Sequence, residues 1–220
     1  MAIILNIDTS VDTASLCLAK DGKILQAAVN DNQKDHASWL HPAIQTIMKN
    51  TGTSMNELQA VAVTIGPGSY TGLRVCLSSA KGLCFALNIP LIAINTLEMM
   101  AYATKDIEGD LLCPLIDARR MEVFMAVYNK ELKKIIEPKA MIVVPGNFDE
   151  LLASQTVVFS GNGANKIKTI VQHPHAIFAD IKASAANMCN LSERNFDEKN
   201  FADTAYVEPF YIKEFYSPTL

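Results

Sequence analysis

The residues best suited to chemistry in this chain of 220 residues lie in polar turns that follow apolar runs. The first turn is DTSVDT over 8–13, after the apolar run 2–7. A carboxylate and hydroxyls placed there, on Asp8 and Ser10, could hold a nucleotide phosphate through a metal ion. The same side chains equally satisfy a turn's own backbone, which is the commoner use. The second is Gly66-Pro67-Gly68-Ser69, between a β-branched run over 60–65 and a helix that Ser69 would cap and that extends to about Leu87. Gly66 and Gly68 let another backbone or a ligand approach closely, the free N–H groups of the first helical turn attract anions, and Arg74 follows one turn later. A dinucleotide fingerprint needs its third glycine one place before Gly72, and a phosphate-binding P-loop needs Lys where Leu73 stands, so neither motif is present. A tight turn and an anion site both stay open for this segment. Asp117, Arg119 and Arg120 form a charged tip, and Gly161-Asn162-Gly163 is a further turn able to admit a ligand.

Metal and nucleophile chemistry find little support. His36 and His41 are five residues apart and diverge by roughly 140° on a helix, so they cannot share one ion without a kink. His173 and His175 flank Pro174 in a loop and read as surface residues. No GxSxG or HExxH pattern occurs. The five cysteines, Cys17, Cys76, Cys84, Cys113 and Cys189, fall mostly in apolar runs with no CxxC spacing and read as reduced, buried and cytosolic. No residue is assigned a catalytic or metal-binding role on these grounds.

The elements that position these turns follow from periodicity. Strands are expected over 2–7, 15–19 and 23–29, the last two joined around Asp21-Gly22, a hairpin signal, so all three are antiparallel neighbours. A helix capped by Asp35 runs to about Asn50, kinked or restarted at Pro42. A strand over 91–94 and a helix capped by Asn95 or Thr96 complete an α/β lobe over 1–105, whose helix-separated strands pair in parallel. A polar stretch over 105–109 marks a boundary. The second lobe, 106–220, opens again with strands over 111–116, 122–128 and 135–144, loosely repeating the first. A short helix at 148–153, strands at 157–160 and 177–179 and a helix at 183–193 follow. The tail, with Tyr206, Phe210, Tyr211 and Phe215, is too aromatic to be disordered and is expected to pack back onto the body.

Half the residues are hydrophobic, enough for real cores, and the net charge of -4 argues against a protein that grips nucleic acid by itself. The N-terminus lacks a basic leader and no uninterrupted apolar run approaches ~18 residues, so a cytoplasmic chain without a membrane span is expected.

The helix over 70–87 is the most informative element. Leu73, Leu77, Ala80, Cys84 and Leu87 recur at spacings of 4, 3, 4 and 3, a coiled-coil-like seam. Its other faces carry Val75, Cys76, Leu83 and Phe85 with the small Gly72, Ser78, Ser79 and Gly82, and its only charges are Arg74 and Lys81. A helix apolar on nearly all sides is buried on nearly all sides. One face can lie on the sheet; the opposite one needs a second helix, from this chain or from a second protein.

Several segments together resemble the bacterial TsaB (YeaZ) family: ILNIDTS, DHASWLHPAI, VAVTIGPGSYTGLRV, PLIAINTLEMMA, LIDARRMEVFMAVY, SGNG and PFYIKEF. The resemblance implies the actin-like architecture shared with sugar kinases and Hsp70, two related α/β lobes. It implies a subunit of the machinery that makes threonylcarbamoyladenosine in tRNA, paired with the catalytic paralogue TsaD, or with itself when alone, through a four-helix bundle. The helices implied are those over 36–48 and 70–87, with Leu40, Ile44, Ile47, Leu73, Leu77, Ala80 and Cys84 as partner contacts. The ATPase TsaE is implied as a further partner and tRNA as an indirect one. TsaD carries two metal-binding histidines in a segment like NHLEGH, where this chain has Thr96 and Met100, poor ligands for a hard or borderline cation. A non-catalytic member without a cofactor of its own is therefore implied, with ATP or ADP bound at most weakly or at a partner interface. The alternative is a nucleotide-binding or ATP-hydrolysing protein that uses Asp8, Ser10 and the turn Gly66, Gly68, Ser69, with Arg74 nearby.

Overall fold

A computed structural model describes residues 2–32 and 35–213 of the chain. The hairpin signal at Asp21-Gly22 is realised as a tight turn with both residues at positive φ (51° and 70°), joining β2 (Ala14–Lys20) to β3 (Lys23–Asn30). β1 (Ile3–Asp8) pairs antiparallel with β2 and parallel with β4 (Ala60–Gly66), which pairs parallel with β5 (Leu91–Asn95). The first sheet thus runs β3-β2-β1-β4-β5. The second repeats it strand for strand: β6 (Leu111–Asp117) lies centrally, β7 (Glu122–Asn129) and β8 (Lys134–Ile142) form the antiparallel wing, and β9 (Val157–Ser160) and β10 (Ala176–Ala179) the parallel one. The loose sequence repeat is a full topological repeat.

Side-chain alternation sorts each strand of the first sheet between two layers. Leu5, Ile7, Leu16, Leu18, Val61 and Val63 face outward onto α1 (His36–Thr51) and α2 (Tyr70–Leu87). The smaller Cys17, Ala19, Ala60 and Ala62 face inward, where α3 (Thr96–Thr104), a 3-10 turn (Ala185–Met188) and α6 (Cys189–Asp197) pack with them. That inner layer is shared with Leu112, Ile116, Ala126, Tyr128 and Val158 of the second sheet. The far face of the second sheet is covered by α4 (Asp149–Leu152) and α5 (Ala164–Lys168) through Leu152 and Ile167. The result is five layers, α/β/α/β/α, the actin-like two-lobed architecture.

Three expectations are adjusted. α1 neither restarts at Pro42 nor takes a side-chain cap from Asp35; it runs unbroken through the proline to Gly52, whose φ of 67° ends it. The Asp35 carboxylate instead accepts from Asn32 Nδ2. The 3-10 turn Met55–Glu57 and α5 are too short to show a period and escape sequence reading. The last helical segment begins as a 3-10 turn at Ala185 and ends at Asp197, and both parts pack on the first lobe rather than the second. The tail follows them: Ala202 N–H donates to Leu91 O at 2.9 Å and Phe210 N–H to Ile65 O at 2.7 Å. Phe215 lies outside the described residues.

Candidate functional site

Asp8 and Ser10 end β1 and stand against the β4–α2 turn, so the two polar turns singled out in the sequence meet. They meet by closing on each other. Ser69 N–H donates to Ser10 O at 2.7 Å, while Thr9 Oγ1 donates to Gly72 O at 2.6 Å. A Cβ on Gly68 would lie 2.2 Å from Ser10 O, and one on Gly72 1.9 Å from Thr9 O. The glycines are required because another backbone does approach closely, and that backbone is the chain's own. Gly72 therefore does not open a path for a partner. Ser69 caps α2 as expected, its Oγ accepting from Gly72 N–H at 3.2 Å.

The Asp8 carboxyl is fully buried. Its Oδ1 accepts from Ser10 N–H (3.0 Å), Ser10 Oγ (2.6 Å) and Thr64 Oγ1 (2.6 Å), and its Oδ2 has no hydrogen-bond partner among the described residues. Burial pushes its pKa above the 3.8 of a free aspartate, more than the hydrogen bonds from Ser10 and Thr64 and the nearby His36 pull it down. Through Oδ1 the buried acid ties the end of β1 to β4.

Arg74 does remain at the surface. Its guanidinium lies 4.0 Å over the Tyr70 ring and its Nε donates to Tyr211 Oη at 3.2 Å; the Tyr70 and Tyr211 rings stack at 5.3 Å. This clasp fastens the tail to the N-terminus of α2.

The helix seam requires a correction. Leu40, Ile44 and Ile47 of α1 and Leu73, Leu77, Ala80 and Cys84 of α2 are all buried within this chain, and all but Leu73 fall in one cluster with the outward-facing residues of the first sheet. Six of the seven contacts assigned to a partner thus lie on the face that α1 and α2 lay on their own sheet, and the seventh, Leu73, is buried as well. Both stripes of α2 are apolar, so periodicity revealed two faces without saying which meets the sheet. The opposite stripe is Ser78, Gly82, Phe85 and Ala86, exposed, flanked by the half-buried Val75, Ser79 and Leu83. Phe85 is 87% exposed and nothing lies within 4 Å of where a Gly82 Cβ would sit. α1 joins this surface beside it, with His41 Nε2 3.2 Å from Ser79 Oγ.

Thr96 and Met100 open α3 in the inner layer, and both are buried. The Met100 methyl packs onto Gly161, where a Cβ would lie only 2.2 Å from it. A hydroxyl and a thioether packed this way do not fit the divalent cation that the TsaD resemblance would bring, and no group of three or more His, Cys, Asp or Glu gathers elsewhere among the described residues.

Between the lobes lies a cleft of about 610 Å³ whose lining includes Val11, Asp12, Asn162, Lys168, Phe178 and Lys182. Asn162, from the SGNG turn, spans it: Nδ2 donates to Asp12 Oδ2 at 2.8 Å and Oδ1 accepts from Asp117 N–H at 2.8 Å. Asp117 is more than a solvated hairpin charge. Desolvation raises its pKa, but Lys166 Nζ at 2.6 Å and the Arg119 N–H outweigh that and hold it below the ordinary carboxylate value. Its partner Lys166 sits on α5, the helix absent from the sequence reading.

These two repeated lobes around a cleft define an actin-like α/β protein. Residues 24–208 match the family model described as TsaD, tRNA N6-adenosine threonylcarbamoyltransferase. The chain is 28% identical over 174 residues to the tRNA threonylcarbamoyladenosine biosynthesis protein TsaB of Bacillus subtilis, covering 77% of this chain and 75% of that protein. It is 34% identical over 129 residues to the TsaB of Escherichia coli, covering 58% and 55%, so it spans little more than half of that relative's length. A crystal structure from Pseudomonas aeruginosa, described as similar to peptidase YeaZ, superposes with a TM-score of 0.84 at 24% identity over 97% of this chain and 100% of that one. The chain belongs to the TsaD family and, within it, to the TsaB (YeaZ) branch. No helix among the described residues is long and apolar enough to cross a membrane.

Proposed function

We propose that this protein acts in tRNA threonylcarbamoyladenosine biosynthesis as a non-catalytic scaffold that binds TsaD. The observation that carries the reading is the outer stripe of α2: an apolar, almost uncharged helix face whose Phe85 stands 87% exposed beside the open Gly82. Small residues next to one large aromatic suit close packing against a partner helix, with the aromatic as anchor. The scaffold role is favoured over catalysis by the chemistry of Thr96 and Met100, which offer no metal-binding pair. On this reading TsaE and tRNA join through the complex, the chain pairs with itself when alone, ATP or ADP is bound at most weakly, and the protein works in the cytoplasm.

Light scattering on the purified chain, alone and mixed with the TsaD of the same organism, tests this. Wild type should form a one-to-one complex. Phe85→Glu should stay folded and weaken that complex at least tenfold, about 1.4 kcal/mol. Leu77→Glu, which forces a charge among the sheet contacts, should unfold the chain instead. A Phe85→Glu variant that binds TsaD like wild type would remove the outer stripe from the interface. A wild-type chain that ignores TsaD would end the scaffold reading.

A further inference from the structure

Two of the five cysteines stand apart from the rest. Cys17, in the middle of β2, and Cys189, the first residue of α6, are 172 residues apart in sequence, yet their Sγ atoms lie 3.3 Å from each other, and both are free thiols. Both are buried in the inner layer between the sheets. Asn6 Nδ2, from the neighbouring strand β1, points at Cys189 Sγ from 3.9 Å. Two features favour negative charge on Cys189, the hydrogen bond shared with Cys17 and the Asn6 amide, while the contact of its sulfur with Ala185 O at 3.9 Å opposes it. The hydrogen bond from Cys17 is the largest of the effects that hold its pKa below the ordinary thiol value, and that shared bond and burial push Cys17 up. The other cysteines differ. Burial pushes Cys76 up to about 12 and Cys84 up to about 11; the sulfurs of Cys76, Cys84, Cys17 and Cys189 all contact carbonyl oxygens, but only Cys17 and Cys189 also contact each other.

We propose that Cys17 and Cys189 are a peroxide-oxidisable dithiol that closes to an intramolecular disulfide joining β2 to α6. The Cys189 thiolate attacks one oxygen of hydrogen peroxide, breaking the O–O bond; hydroxide leaves and takes up a proton as water, and Cys189 becomes a sulfenic acid. Cys17 then attacks that sulfur, the S–S bond forms, and the sulfenic oxygen departs as a second water with the Cys17 proton. Two thiols are oxidised by two electrons and one peroxide is reduced to two waters. The sulfurs need to close only from 3.3 Å to about 2.05 Å. The product ties the inner layer to the first sheet across a long loop, which restricts the unfolded chain. The outer stripe of α2 lies on the other side of that sheet, so this inference does not rest on the scaffold reading.

The test is hydrogen peroxide added to the full-length native chain, followed by alkylation of remaining thiols in denaturant and peptide mapping. A Cys17–Cys189 linked peptide should dominate, with a rise in Tm that dithiothreitol reverses. Cys17→Ser should abolish the link and leave a Cys189 sulfenic acid that dimedone captures; Cys189→Ser should give neither, and Cys76→Ser should keep the link. The proposal is overturned if wild type yields no Cys17–Cys189 peptide, if other pairings form as readily, or if the reversible rise in Tm survives in Cys17→Ser. The wild-type map decides the matter even if a serine variant fails to fold.

Discussion

At the scale of single residues, Asp8 and Gly72 show how a turn with the composition of a ligand site is closed upon by its own chain. Asp8 has its pKa raised by burial, so its neutral form is the better tolerated one in the fold. The unfolded chain then ionises first as pH rises, and from about pH 4 upward stability is lost until the folded carboxyl has ionised too. Asp8→Asn keeps the acceptor for Ser10 and Thr64 without the charge. Its Tm measured between pH 4 and 8 should therefore follow a flatter profile than wild type, with the gain at the neutral end. The glycines of α2 make an opposed pair. Gly72→Ala drives a methyl into Thr9 O and should cost more than ~2 kcal/mol in chemical denaturation. Gly82→Ala meets nothing within 4 Å and should stabilise the isolated chain by ~0.5–1 kcal/mol while weakening TsaD binding, because the partner helix would need that space. In the sequence both glycines read alike, as small residues of one apolar helix. Only the tertiary neighbours separate them, since Thr9 is 63 residues away from Gly72.

At the scale of the element, α2 explains why the seam was legible and its direction was not. The spacing of Leu73, Leu77, Ala80 and Cys84 is a true apolar stripe, and the stripe is truly buried. A helix on a sheet and a helix in a bundle need the same periodicity, so the pattern carries no label for its partner. The other stripe held the missing signal. Phe85, flanked by Gly82 and Ala86, offers too little continuous apolar surface for a sheet, while Leu77 and Ala80 share one buried cluster with Val61 and Val63. Leu77→Ala should accordingly cost ~2–5 kcal/mol in denaturant unfolding, and Phe85→Ala close to nothing. The hairpin and the caps at Ser69 and Asn95 were readable because their causes are local: Asp21-Gly22 makes its own turn, and Asn95 Oδ1 accepts from Leu97 and Glu98 within its own helix. The Asp117–Lys166 pair was not, because 49 residues separate its members and α5 is only 5 residues long.

At the scale of the whole molecule, the repeat of one five-stranded topology gives two lobes that share their inner layer, with Asn162 and Asp12 joined across the cleft. The chain does not divide cleanly between them, since the segment after Ala185 returns to the first lobe. Ala202 bridges to Leu91 on β5, Phe210 bonds to Ile65, and Tyr211 stacks on Tyr70. A chain ended after Asn200 loses those contacts at two to four kcal/mol in all, on the order of 1 kcal/mol for each hydrogen bond, and its Tm should fall by about 5–10 °C. That return also sets an order of events during synthesis. The first lobe leaves the ribosome early with its two outer helices, but its inner face has to wait for α6, and the clasp on α2 for residue 211. Until then the small-residue face of the first sheet is covered only by α3, and the rest of it stays open to a wrong neighbour.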